Sequence, residues 1–280
     1  MKKMFLIILL NVFIVSLTML YLKKSWALDA GAESVENYSG CGCSSGNLHY
    51  CNDQASMFIS KIDNWHNRKF WYKDKWAWNS DLVEDQLGGT DYPYGDNVHI
   101  LFICGHGGLS DNIYYGYLCK HKYYNHCSYN TKKVYLGEVS GQAYSSHPGK
   151  LRFLILSTCH SVEVGPKGNR IAPKVWMPVF SRGKNLMYVM GYDGTSTDGE
   201  TTDEVGEDFA RKAAGSGWTL KQAWFWAIED WWVDDTGAVI SRGSSRNEAI
   251  KNRDKMKLNW TPPSSHSWPP TWWAMAWHEG

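Results

Sequence analysis

A strong charge of either sign is missing from this chain. Its 280 residues hold 29 Lys and Arg against 28 Asp and Glu, a formal net charge of +1. A basic footprint for nucleic acid is therefore not supported. Internal repeats and long Pro- or Gly-rich linkers are also lacking, which excludes a solenoid or a string of tethered modules. Beyond the N-terminal segment no run is long and apolar enough to cross a bilayer. The residues that are present suit a globular fold. Hydrophobic residues make up 43% and charged residues 20%, enough for a sizeable core, and the length fits one large domain or two small ones.

Lys2 and Lys3 precede an apolar run from Met4 to Leu22, followed by Lys23, Lys24 and Ser25-Trp26-Ala27. Small residues at Ser25 and Ala27 suit signal-peptide cleavage after Ala27, so residues 1–27 read as a signal peptide or, uncleaved, as an N-terminal anchor. Either reading places residues 28–280 in an oxidising compartment, secreted or in the cell envelope. Loss of the segment removes four lysines and leaves a formal charge of −3.

Three apolar runs organise the mature chain: Val98–Cys104, Leu151–Ser157 and Leu186–Met190. Each is short and bounded by Gly or polar residues, the pattern of strands buried on both faces. Further strands are expected at Ser34–Tyr38 and Phe70–Trp78. Helices are expected at Gln54–Trp65, Thr202–Ala214 and Thr219–Trp232, the last opened by the capping-box pattern of Thr219 and Gln222. The fold class is α/β, with a mostly parallel sheet between helices.

Two reactive side chains sit where strands end. His106 follows the first apolar run within Gly105-His106-Gly107-Gly108, and Cys159 follows the second. If those strands are parallel neighbours, both side chains reach one rim, beyond the carboxyl ends where α/β sheets bind ligands. A Cys–His dyad needs that arrangement, with the imidazole close enough to take or return the thiol proton. Gly107 lets backbone approach a substrate, and its N–H together with that of Cys159 can stabilise an oxyanion.

These motifs, ILFICGHGG and LRFLILSTCHS, resemble the caspase-like cysteine peptidases, a group that includes caspases, legumains, gingipains and clostripains. His106 and Cys159 are 53 residues apart, near the caspase spacing. The resemblance implies a caspase-like three-layer sandwich, with His106 as general acid and base, Cys159 as nucleophile, and Gly107 with Cys159 as oxyanion donors. It implies a peptide or protein substrate and no cofactor. Over about residues 34–235 the chain is more similar still to a family of secreted proteins known only as a domain of unknown function. The shared features are VENYSG, AWNSDLVEDQLGGTD, DNVHILFICGHGG, LRFLILSTCHS, MYVMGYDG and the GEDFA…AW helices. The sequence departs from the caspase pattern at Thr158, where Ala is common, and at His160. The implied organisation is one domain over 28–280, with a Cys-rich insert near 109–148 and a Pro- and Trp-rich tail at 260–280.

Other residues compete for function. Asp193, Asp198 and Glu200 follow the third run. In gingipain-like and legumain-like enzymes this side lines the substrate pocket, which makes Asp193 a candidate for binding a basic side chain, against a solvated helix-capping loop. Of seven cysteines at least one must stay unpaired within the monomer, and Cys159 is the natural candidate. Cys104 is expected to stay reduced in its strand. Cys119 and Cys127 are expected to close a small loop, while Cys41, Cys43 and Cys51 pair among themselves or with the insert. A zinc site from Cys119, His121, His126 and Cys127, joined by Cys41 and Cys43, is the metal alternative, although the spacing matches no standard finger. With 16 Trp and 16 Tyr, a sugar platform is a further alternative. Trp224, Trp226, Trp231 and Trp232 read as core, whereas Trp272, Trp273 and Trp277 read as exposed. Asn37-Tyr38-Ser39 and Asn259-Trp260-Thr261 match the glycosylation acceptor pattern. A catalytically silent extracellular binding protein, of glycan or metal, is the alternative function.

Overall fold

A computed structural model describes residues 27–84, 87–91, 93–122, 124–133, 149–182, 185–229, 235–259 and 272–279. Residues 1–26 of the expected signal peptide or anchor at 1–27, Trp231, Trp232 and the acceptor motif at 259–261 from Trp260 onward lie outside them.

One seven-stranded sheet carries the fold. Its strands are β1 (Asp29–Ser34), β2 (Asn67–Lys73), β3 (Ile100–Cys104), β7 (Phe153–Ser157), β8 (Tyr188–Asp193), β9 (Thr236–Gly243) and β10 (Trp272–Glu279), in the order β10-β9-β8-β7-β3-β1-β2. The run from β2 to β8 is parallel, and β9 and β10 are antiparallel additions. A separate three-stranded antiparallel sheet of β4 (Gly107–Ser110), β5 (Ile113–Tyr117) and β6 (Ser128–Asn130) follows His106. It contains the described part of the Cys-rich insert.

The sheet is covered on both faces. Helix α1 (Cys51–Ile62), α3 (Val205–Ala210) and α4 (Leu220–Ile228) pack Phe58, Phe209 and Trp224 against one face. Helix α2 (Ala172–Arg182) packs Trp176, Val179 and Phe180 against the other. Helix α5 (Arg246–Lys255) lies on β9 and β10. Burial of one large apolar side chain in these layers is worth about 1.5–3 kcal/mol. The two buried indoles are also satisfied as donors: Trp176 to Ser161 O at 2.8 Å and Trp224 to Gly191 O at 2.9 Å.

The three apolar runs are strands, parallel where they adjoin, with Cys104 opposite Ser157. Boundaries elsewhere shift. The first strand is Asp29–Ser34 rather than Ser34–Tyr38, because small and acidic residues, not apolar ones, fill its buried positions. A β-carbon on Gly31 would meet the Phe70 ring at 2.4 Å, so the strand requires glycine there. The strand expected at Phe70–Trp78 gives way at Asp74 to a 3-10 turn. Helix α1 starts three residues early, since Asp198 caps its entry from across the fold, accepting from the His49 and Tyr50 N–H groups at 2.7 and 3.0 Å. The helix expected over Thr202–Ala214 is a six-residue α-helix continued by a π-turn over Arg211–Gly215. Helix α4 carries the expected Thr219–Gln222 capping box and ends at Ile228. Helix α2 has no counterpart among the expected helices, because Pro178 inside it masks the pattern.

The cysteine pairing corrects three expectations: that Cys104 stays reduced, that Cys119 and Cys127 close a loop, and that Cys51 pairs within its own loop or with the insert. The disulfides are Cys41–Cys119, Cys43–Cys127 and Cys51–Cys104, and Cys159 is free. Cys104 is oxidised because β3 ends beside the start of α1. Cys119 and Cys127 pair with the Cys41–Cys43 loop rather than with each other, because the insert folds against that loop.

Candidate active site

Strand order sets where a ligand can bind. The chain leaves β1 toward β2 on one side and adds β3 on the other, so β1 and β3 flank the topological switch point. At the carboxyl ends there, the connections part and open a crevice. A small cavity of about 30 Å³ lies at this end. His106 and Cys159 both line it, together with Gln54, Ser157, Ser196 and Asp198.

His106 is held from three directions. Its backbone N–H donates to the Tyr38 hydroxyl at 2.8 Å, which in turn donates to Tyr117 O at 2.8 Å. The Tyr38 ring lies 4.8 Å from the imidazole, centroid to centroid. Burial pushes the Tyr38 phenol well above its ordinary range, so it remains a neutral hydrogen-bonding group. On the imidazole itself, Nε2 is 2.7 Å from Gly46 O. A carbonyl only accepts, so Nε2 carries the proton and Nδ1 keeps the lone pair in the neutral ring.

Cys159 is held by the loop after β8. The Ser196 N–H donates to Sγ at 3.3 Å, and the Ser196 hydroxyl lies 3.5 Å from it. Just before it, Thr158 shares a 2.6 Å hydrogen bond with Tyr114, whose phenol burial pushes up to about 12. Just after it, His160 takes a left-handed backbone at φ 55°. Its Nδ1 pairs with Glu163 Oε2 at 2.8 Å, and that oxygen also accepts the Gly194 N–H. Ser161 closes the turn, donating to Thr158 O and accepting from Tyr192 N–H. Backbone of the two rims touches directly: a β-carbon on Gly107 would sit 2.2 Å from Cys159 O and 3.0 Å from Cys159 N.

The acidic candidate lies elsewhere. Asp193 is absent from the cavity lining, and its Oδ1 accepts the Val164 N–H at 2.9 Å. Asp198 is the carboxylate at the cavity, occupied by the two N–H groups before α1. The zinc alternative fails on chemistry. Cys41, Cys43, Cys119 and Cys127 are tied in disulfides, and among the described residues no group of three His, Cys, Asp or Glu is placed to hold a metal.

A family model described as a domain of unknown function, DUF6345, matches residues 32–277, most of the chain. The chain belongs to the DUF6345 family. No curated protein matches it. A crystal structure of a Geobacter sulfurreducens structural-genomics protein is similar at 14% identity with a TM-score of 0.40, covering 71% of this chain and 88% of that one. The DUF6345 chain's three intramolecular disulfides fit an oxidising, extracytoplasmic environment.

Several contacts in the DUF6345 site have no signature in the sequence. Gly46 meets His106 across 60 residues, Gln54 meets Ser157 across 103, and Ser196 meets Cys159 across 37. None of the three carries a local pattern that marks it. The Gly-rich loop at 42–46 and the Thr195-Ser196-Thr197 run after β8 are the available signals, as loops beside strand ends.

Proposed function

We propose that this protein is a secreted or envelope cysteine endopeptidase with a caspase-like layout. The observation that carries the reading is the shared cavity at the carboxyl ends of β3 and β7, lined by both His106 and the unpaired Cys159. The Cys159 thiolate attacks a peptide carbonyl carbon, and the carbonyl π-electrons move onto oxygen. Gly107 N–H and Cys159 N–H are the donors for that oxyanion, and one such donor is worth about 3–4 kcal/mol in a transition state. His106 gives a proton to the departing amine, leaving a thioester on Cys159. A water molecule, deprotonated by His106, then releases the acid and restores the thiol. The Gly46 carbonyl orients the imidazole and offsets its positive charge while it is protonated.

A cavity of about 30 Å³ holds little more than one water molecule, so the substrate chain lies across the rim and only the scissile group enters. The test uses Cys159→Ala and His106→Ala with a mixed fluorogenic peptide library and iodoacetamide. Cleavage by wild type that both variants lose, with alkylation confined to Cys159, supports the reading. Cleavage that persists in Cys159→Ala, or none in wild type with a fully reduced Cys159, overturns it in favour of a silent binding protein.

A further inference from the structure

The edge of the sheet farthest from β2 carries a second, independent feature. Between β10, α5 and the loop before α2 runs an open groove of about 410 Å³. That lies within the roughly 300–1,000 Å³ range of small-ligand sites. Three arginines line it, Arg170, Arg246 and Arg253, together with Trp272, Trp273 and Trp277. No described lining residue is acidic.

The aromatic groups are not core residues that happen to show. Trp272, Trp273 and Trp277 are 47%, 38% and 41% exposed, whereas buried Trp176 and Trp224 show at most 1%. Exposing three indoles on one strand costs hydrophobic burial that an ordinary surface avoids. Trp273 and Trp277 lie four residues apart on one face of β10, roughly 13 Å along the strand. That spacing suits a short oligomer better than one ring. Flat indoles stack on the C–H faces of sugar rings.

The arginines select the charge of the ligand. Arg253 is neutralised, its guanidinium spread over both Asp254 oxygens and its Nη1 bonded to Met275 O, so it serves as scaffold. Arg170 stacks over the Trp277 ring at 4.6 Å, with Nη1 on Gly165 O. Among the described residues its other donors make no hydrogen bond, although the Asp193 carboxylate acts on it electrostatically, and the guanidinium lies flat against an aromatic platform. Arg246 stands one turn before Ile250 at the α5 end of the groove. Planar guanidinium groups bind carboxylates and sulfates through paired N–H donors.

We propose that this groove binds an anionic oligosaccharide, its sugar rings on the tryptophans and its acid groups on Arg170 and Arg246. The site is separate from the His106–Cys159 cleft and does not depend on peptidase activity.

Isothermal titration calorimetry of the full, disulfide-bonded chain tests it, with a galacturonate hexamer as probe. The neutral glucose hexamer, oligo-dT and phosphatidylserine vesicles are the comparisons. Binding of the galacturonate hexamer is expected to exceed that of the neutral hexamer by at least tenfold and to weaken with salt. Arg170→Gln with Arg246→Ala should weaken it at least tenfold, and Trp273→Ala with Trp277→Ala should abolish it, with unchanged thermal melting as the control for folding. Trp226→Ala, at an exposed indole outside the groove, should leave it intact. No binding of the acidic hexamer, equal binding of the neutral one, tighter binding of DNA or vesicles, or indifference to the arginine pair would each overturn the assignment.

Discussion

Gly107 and Cys159 come from different strand ends, yet the carbonyl oxygen of Cys159 lies only 2.2 Å from where a Gly107 β-carbon would stand. Backbone contact this close joins the two rims of the cleft without a side chain between them. Gly107→Ala must push the rims apart. It is expected to destabilise by about 1–3 kcal/mol, as overpacking does, and, on the proposed peptidase reading, to abolish peptide cleavage while Cys159 still alkylates. Thermal melting and iodoacetamide mass labelling read the two effects separately.

Tyr38 is the support beneath His106. Tyr38→Phe keeps the ring but removes the acceptor of the His106 N–H and the donor to Tyr117 O. A buried polar group left without a partner costs about 1–3 kcal/mol. A lower melting temperature and a shifted His106 ring resonance by NMR are the expected results. An unchanged ring resonance would show that Tyr38 does not position the imidazole.

Oxidation state is expected to decide folding. The disulfides join residues 78, 84 and 53 positions apart, each closing a long loop. Loss of a native disulfide of this kind typically costs about 2–5 kcal/mol. Cys51→Ser with Cys104→Ser should lower stability by about that amount and loosen the start of α1 at the cleft. Peptide mapping under non-reducing conditions should return these three pairs and one free thiol, Cys159.

Two buried carboxyl groups make the fold sensitive to rising pH. Glu33 on β1 is fully buried, and burial first, then the neighbouring Asp81, raises its pKa well above the carboxylate range. Burial pushes Asp81 up to about 7. Tyr72, Tyr94 and Tyr129 are the further titratable groups facing the pair. Both folded-state values are raised, so the stability these groups contribute is fully present below the ordinary carboxylate range and is lost as pH rises. For Asp81 the loss runs from about pH 4 to about pH 7, at no more than about 1.4 kcal/mol per pH unit, and levels off above that. His66 and His99, held at about 4 by burial, act oppositely, losing stability as pH falls from about 6.5 through 4. Asp81→Asn keeps an acceptor for Ser80 and Thr90 and offers Glu33 an N–H. Between pH 5 and 8 the melting temperature of this variant should fall less with rising pH than that of wild type.

How much of this is legible in the sequence depends on the range of the forces involved. Val98–Cys104, Leu151–Ser157 and Leu186–Met190 announce themselves because a strand covered on both faces needs unbroken apolar residues. His106 and Cys159 stand out because strand ends and flanking glycines are local in sequence. The first strand escapes the pattern because Asp29, Gly31 and Glu33 are buried by neighbours contributed from β2 and the Asn79–Leu82 turn, not by their own hydrophobicity. Helix α2 escapes it because Pro178 breaks the local periodicity while packing on the sheet holds the helix together.

The amino-acid order alone determined the α/β class, the strand cores, the dyad candidates and the odd thiol, since each rests on short-range periodicity, residue chemistry or counting. Only the tertiary structure decided the disulfide partners, the Gly46 and Ser196 contacts, the absence of Asp193 from the cavity lining and the meeting of Arg170 with Trp277. Those depend on which segments the sheet order brings together, and chain closure over tens of residues leaves no local trace.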